Sequence, residues 1–205
     1  MHKRPIFITG IDTGIGKTIV SAILVEKLKA DYWKPIQSGD LENSDTLLVQ
    51  SLVSNPVSKF HPEAYRLTQP FSPHKSAALD GIEIDPAKII IPETENQLII
   101  EGAGGLMVPL NDSFLMIDLI QQLDAEVILV SKNYLGSINH TLLSIDALRS
   151  RNIPIKGFIF NGDNDEWSES VIRSYTGADT SFSNIPLLTA VDKAGISKQA
   201  TDLGL

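Results

Sequence analysis

The chain of 205 residues contains no cysteine, which removes disulfides, thiolate metal sites, iron–sulfur clusters and cysteine nucleophiles from its possible chemistry. Basic residues are scarce relative to acidic ones: 17 Lys and Arg stand against 25 Asp and Glu, for a net charge of -8. That balance opposes attraction to phosphate backbones and to anionic lipid, so neither a nucleic-acid nor a membrane partner is expected. Long apolar runs are missing too. No segment approaches the roughly 18 apolar residues of a bilayer span. The N-terminal Met-His-Lys-Arg-Pro meets a glycine-rich turn after only Ile6 to Thr9, too early for a secretory leader. A cytoplasmic protein is expected. With 42% apolar and 20% charged residues, the composition is nevertheless that of an ordered globular chain.

What is present is an alternation. Short apolar runs at Ile6–Thr9, Gln97–Glu101, Val127–Ser131 and Lys156–Phe160 read as buried strands, with Tyr32–Lys34 and Ile185–Leu188 as further short ones. Between them, helical spacing recurs at Ile19, Val20, Ile23, Leu24 and Leu28, at Leu115, Leu119, Ile120 and Leu123, and at Leu142, Ile145 and Leu148. Strands alternating with helices predict an α/β fold: one domain over 1–205, with a mostly parallel sheet flanked by helices. Six of the eleven prolines fall between Pro56 and Pro92, and this stretch reads as an excursion from the sheet that covers a site.

Gly10-Ile-Asp-Thr-Gly-Ile-Gly-Lys-Thr18 follows a strand and precedes an amphipathic helix, the context of a phosphate-binding P-loop. Its glycines let successive backbone N–H groups point inward. Lys17 reaches the β- and γ-phosphates, Thr18 offers an oxygen to magnesium, and the helix N-terminus adds its positive dipole end. Five residues rather than four separate Gly10 from Gly16. The guanine-reading Asn-Lys-x-Asp segment is missing, since Asn161 is followed by Gly162, Asp163 and Asn164, so ATP is the expected nucleotide in a P-loop NTPase-like fold.

Ligands of open parallel sheets gather at the carboxyl ends of the strands. Thr9, Lys34, Glu101, Ser131 and Asn161 all end apolar runs and are expected on that edge. Glu101 is then the carboxylate for magnesium, a hard cation that takes oxygen ligands. Asp45, in Asn43-Ser-Asp, reads first as the cap of the helix that follows. Lys34 alone reads as a surface charge. His74 and His140 read as hydrogen-bonded scaffolding, and Trp33 and Trp167 as packing residues.

In this order, Gly-x-Asp-Thr-Gly-x-Gly-Lys-Thr, Lys34-Pro-x-x-Ser-Gly39, Asn43-Ser-Asp45, Ser72-Pro-His74, Glu101-Gly-Ala-Gly-Gly105, Gly136-Ser-Ile-Asn-His140 and Ile185-Pro-Leu resemble the dethiobiotin synthetase family. The resemblance implies closure of a cyclic urea on diaminopelargonic acid with CO2 and ATP, through a carbamate. It makes Lys34 and Lys17 catalytic, and it assigns Thr18, Asp45 and Glu101 to Mg2+. It places ATP on Thr13, Gly14, Ile15 and Gly16 of the loop, on Lys17, Thr18 and Ile19 of the helix start, and beside Asp45. Glu101, Gly102, Ala103 and Gly104 extend that ATP site, and Asn161, Gly162, Pro186, Leu187 and Leu188 stand for its adenine end. Thr13, Lys34 and Ser38 match substrate contacts. The family is dimeric, and Asn139 corresponds to the anchor for the substrate tail at the neighbouring subunit.

A rival reading is a nucleotide-switched, partner-binding ATPase of the MinD/ParA kind. Those proteins carry a signature lysine five residues before the P-loop lysine, where this chain has Asp12.

Overall fold

The computed structural model describes residues 3–177 and 180–204. Its frame is a seven-stranded sheet formed by β1 (Ile6–Gly10), β2 (Asp31–Trp33), β4 (Phe60–His61), β6 (Leu98–Gly105), β7 (Glu126–Ser131), β8 (Ile155–Asn161) and β9 (Ser181–Ile185). The strand order is β4-β2-β6-β1-β7-β8-β9, and each neighbouring pair is parallel. Because helices cover both faces, the central strands are buried on both sides and read as continuous apolar runs.

Side chains alternate between the two faces. Phe7, Ile100 and Leu129 pack with α3 (Pro73–Leu79), α4 (Met116–Gln122), α5 (Ser137–Ser150) and α6 (Glu166–Thr176). Ile6, Ile8 and Ile99 pack with α1 (Lys17–Leu28), α2 (Asp45–Leu52) and α7 (Lys193–Asp202). This α/β architecture is the one the alternation predicted, and it delivers the P-loop to the carboxyl edge of the sheet.

Four expectations change. The late strand is Ser181–Ile185 rather than Ile185–Leu188; its polar Ser-Phe-Ser-Asn sequence gives little apolar signal, yet β8 pairs with all of it. The proline-rich stretch is only partly an excursion. It supplies β4 at the sheet edge, then β5 (Tyr65–Leu67), which pairs with β3 (Ile36–Ser38) in a separate two-stranded sheet, and then α3, with Pro73 at its first position where no N–H is needed. Asp45 is not the cap of α2. Ser44 is, its hydroxyl accepting from the Leu47 amide, and Asp45 stands first inside the helix with its carboxylate released for other work. Trp33 is buried and donates to the Pro62 carbonyl, but Trp167 is 87% exposed and packs no core.

Candidate functional site

A cavity of about 680 Å³ opens at the carboxyl edge, between the P-loop, the end of β2, the start of α2 and the Pro70–Pro73 segment. Its loop wall turns from strand to helix at Gly16, which holds φ 92 as the cap residue of α1. A β-carbon there would lie 2.1 Å from Asn161 Nδ2, and that amide donates to the Ile15 carbonyl at 2.7 Å. The Ile15 side chain is buried against Gly10, where a β-carbon would lie 2.2 Å from its Cδ1. Lys17 Nζ donates back to the Asp12 carbonyl at 3.0 Å.

Opposite the loop lies a charged cluster. Thr18 Oγ1 is 3.0 Å from both Asp45 Oδ1 and Glu101 Oε1. Lys34 Nζ donates to Glu101 Oε1 at 3.0 Å and also to Asp45 Oδ2. Glu101 and Lys34 are almost wholly buried. Burial alone would lower the Lys34 ammonium, but the Glu101 and Asp45 carboxylates outweigh it and hold its pKa above the ordinary value. Glu101 stands opposite Ile8, inside β6 rather than at its end, because the four small residues after it stay extended until Gly105 faces Gly10. Its second oxygen, Oε2, accepts from the Tyr32 hydroxyl at 2.9 Å. Burial, then the Glu101 and Asp45 charges, keep that phenol protonated far above its usual range.

The donor set suits a small hard cation. Two carboxylates and a hydroxyl are too few for an all-protein cage, and among the described residues no trio of His, Cys, Asp or Glu forms one. Magnesium in nucleotide sites takes one or two carboxylates and completes its shell with phosphates and water.

Thr13, Gly14, Gly16, Lys17, Thr18, Ile19, Lys34, Ser38, Asp45, Glu101, Gly102, Ala103 and Gly104 all line this cavity. The Ser38 hydroxyl is buried there without a protein partner. Ile15 lies beneath the loop. Asn161 braces the loop from outside the cavity, while the Gly162 amide donates to the Ile185 carbonyl at 2.8 Å. Pro186 and Leu187 are exposed, and Leu188 packs partly against the α1 side of the core. Asn139 is exposed on the first turn of α5, away from the cavity. Thr9 and Ser131 are buried outside it. Ser131 pairs with Thr141, and the His140 ring meets the Tyr134 hydroxyl as scaffolding. Sequence reasoning did not single out Tyr32, Gln37, Leu48, Phe71 or Val108. The last four line the cavity, and a proline-flanked aromatic such as Phe71 was the one available signal.

Lys17 carries a pH signature. Burial lowers its pKa from 10.5 to about 8, against the pull of Glu101. Below about pH 8 both folded and unfolded chains hold the proton, and the buried cation costs about 3 kcal/mol of stability. Between about 8 and 10.5 the unfolded chain binds more protons, so this cost is relieved as pH rises. Urea unfolding of the nucleotide-free protein from about pH 7.5 to about pH 9.5 should show rising stability, flattened in Lys17→Met. Identical profiles for the two proteins would refute the buried-cation account.

Comparison with known proteins points to one family. A family model described as an AAA domain matches residues 4–195. The ATP-dependent dethiobiotin synthetase BioD of Christiangramia forsetii is 59% identical over 167 residues, 82% of this chain and 80% of that protein. The enzyme of the same name from Cytophaga hutchinsonii is 56% identical over 172 residues, 83% of each chain. Among solved structures, a ParA-family ATPase from Chlorobium tepidum superposes with TM-score 0.57 at 14% identity, covering 97% of this chain and 98% of that one. The cell division ATPase MinD of Pyrococcus furiosus gives 0.53 at 14% identity, covering 98% of each. At that identity the likeness is one of fold alone, whereas the BioD identities extend over most of both chains. This chain belongs to the dethiobiotin synthetase family.

Proposed function

We propose that the chain closes a cyclic urea on diaminopelargonic acid, consuming CO2 and ATP and yielding dethiobiotin, ADP and phosphate. The whole chain acts as one catalytic domain. One substrate amine adds to CO2, losing a proton and becoming a carbamate. A carbamate oxygen takes the γ-phosphoryl group from ATP, giving a carbamic-phosphoric anhydride. The second amine then attacks the anhydride carbon, and the C–O bond to phosphate breaks as the ring closes.

The observation that carries this reading is the second lysine. An ordinary P-loop supplies one cation to the γ-phosphate. Here Lys34 faces the same cavity from the opposite wall, where it offsets repulsion between two anions, the carbamate and the γ-phosphate, and stabilises charge developing between them. Lys17 and the loop amides hold the triphosphate. Thr18, Asp45 and Glu101 hold Mg2+, which when bound neutralises phosphate charge. Thr13 and Ser38 orient the diamine, and Asn161, Gly162 and Pro186–Leu188 form the adenine end.

The protein works as a homodimer in this reading. Support comes from a second cavity of about 440 Å³ beside Thr13, lined by Leu106, Met107, Val108 and Leu143. Met107 and Leu143 are about 60% exposed in the single chain, and a partner covering them would bring Asn139 to the substrate tail.

Phosphate release separates this enzyme from a nucleotide switch. In CO2-depleted buffer, release from ATP should be slow with the diamine present, rise when CO2 is restored, and match ring formation one to one. Brisk release without diamine or CO2, or stimulation only by a protein partner, would refute the synthetase reading.

A further inference from the structure

The geometry points to Tyr32 as a positioning residue that makes Glu101 a one-point ligand and so tunes the cation site toward magnesium over calcium. This rests on the reading of Thr18, Asp45 and Glu101 as the metal-holding set. Tyr32 lies in β2, in register with Ile99 of β6, and its ring is fully buried against Phe60, with centroids 6.3 Å apart. It does not line the cavity, and its hydroxyl links it to the chemistry through Glu101.

That hydroxyl divides the labour of one carboxylate. Glu101 Oε2 accepts from Tyr32 at 2.9 Å, while Oε1 faces Thr18 Oγ1 and Lys34 Nζ, each at 3.0 Å. For Glu101 to grip a cation with both oxygens, its carboxylate would have to rotate off the phenol and leave a buried hydroxyl without an acceptor. Calcium uses two-point carboxylates and a larger, looser shell, whereas magnesium demands compact octahedral geometry with single oxygens. An oxygen tied up behind the site therefore works against calcium. Outer hydrogen bonds to metal-binding carboxylates typically tune affinity by about 10- to 100-fold.

The test uses full-length protein with a non-hydrolysable ATP analogue. Mn2+ binding is followed by electron paramagnetic resonance, and Mg2+ and Ca2+ are titrated in as competitors. Tyr32→Phe, which removes one oxygen atom, should lower the preference for Mg2+ over Ca2+ about tenfold, and the buried Glu101 oxygen left without its donor should also lower the melting temperature of a variant that still folds. An unchanged preference in a folded variant would overturn the inference. Infrared difference spectra of the wild type provide a second measurement that needs no variant. With Mg2+ the carboxylate bands should split widely, as for one-point binding, and narrow splitting of the two-point kind would overturn it. Failure of the wild type to bind Mn2+ in the nucleotide complex would overturn the metal assignment itself, and the role of Tyr32 with it.

Discussion

Lys34→Gln is expected to lower kcat for ring closure by about 10²- to 10³-fold, the range seen when one preorganised electrostatic group is removed from a transition state. ATP affinity should change little, because Lys17, the loop amides and the start of α1 remain. Glutamine keeps hydrogen-bonding capacity at a buried position but brings no charge. The same substitution leaves Asp45 and Glu101 facing each other across Thr18 without the cation that now bridges them. Stripping a buried carboxylate of its partner costs about 3–5 kcal/mol, and the half-exposed Asp45 reduces that figure. The variant should therefore melt well below wild type in chelator and recover disproportionately on adding magnesium with ADP, since a divalent cation restores the missing charge. Steady-state kinetics paired with melts in the two buffers check both halves. Wild-type kcat, or a fall in ATP affinity parallel to the fall in kcat, would remove Lys34 from the reacting end of the cavity.

Gly16→Ala should be nearly as damaging, by a different route. The residue holds φ 92, where a β-carbon costs about 1–3 kcal/mol. The added carbon also displaces the Asn161 amide, breaking its 2.7 Å bond to the Ile15 carbonyl. Together these should lower the melting temperature by about 10 °C and weaken ATP binding by about 100-fold or more, since loop N–H groups would no longer converge on the phosphates. Adding Asn161→Ala removes the collision but not the dihedral strain. The double variant should recover part of the melting temperature and little of the binding. Calorimetric titration with ATP, alongside thermal melts, decides it. Normal ATP affinity in Gly16→Ala would mean that the loop rebuilds its cradle freely.

The parts of the candidate site legible in the sequence were those in which glycines shape a backbone turn or a charge interrupts an apolar run. Gly-Ile-Gly-Lys-Thr announces its turn through glycines that no other residue replaces cheaply, and Glu101 is conspicuous at the end of Leu98-Ile-Ile. Asp45 was harder to read, because Ser44 and Asp45 are both good caps and only the fold decides which of them faces the helix amides. Tyr32 was invisible: an aromatic in a short strand reads as core, which it is, and nothing local reveals the carboxylate on the next strand. Helix α3 escaped because seven residues give barely two turns of periodicity. Strand β9 was misplaced because parallel pairing with β8, rather than its own apolarity, makes it a strand.

The central position of β1 also has a consequence for how the chain reaches this structure. Its two neighbours in the sheet, β6 and β7, are synthesised roughly 90 to 120 residues later. On the ribosome the P-loop thus emerges before either neighbour and waits unpaired until β6 follows, roughly 90 residues later. Such long-range pairing makes folding slow. Asn161, whose amide braces the loop at the Ile15 carbonyl, arrives later still, so the finished loop belongs to the end of that process.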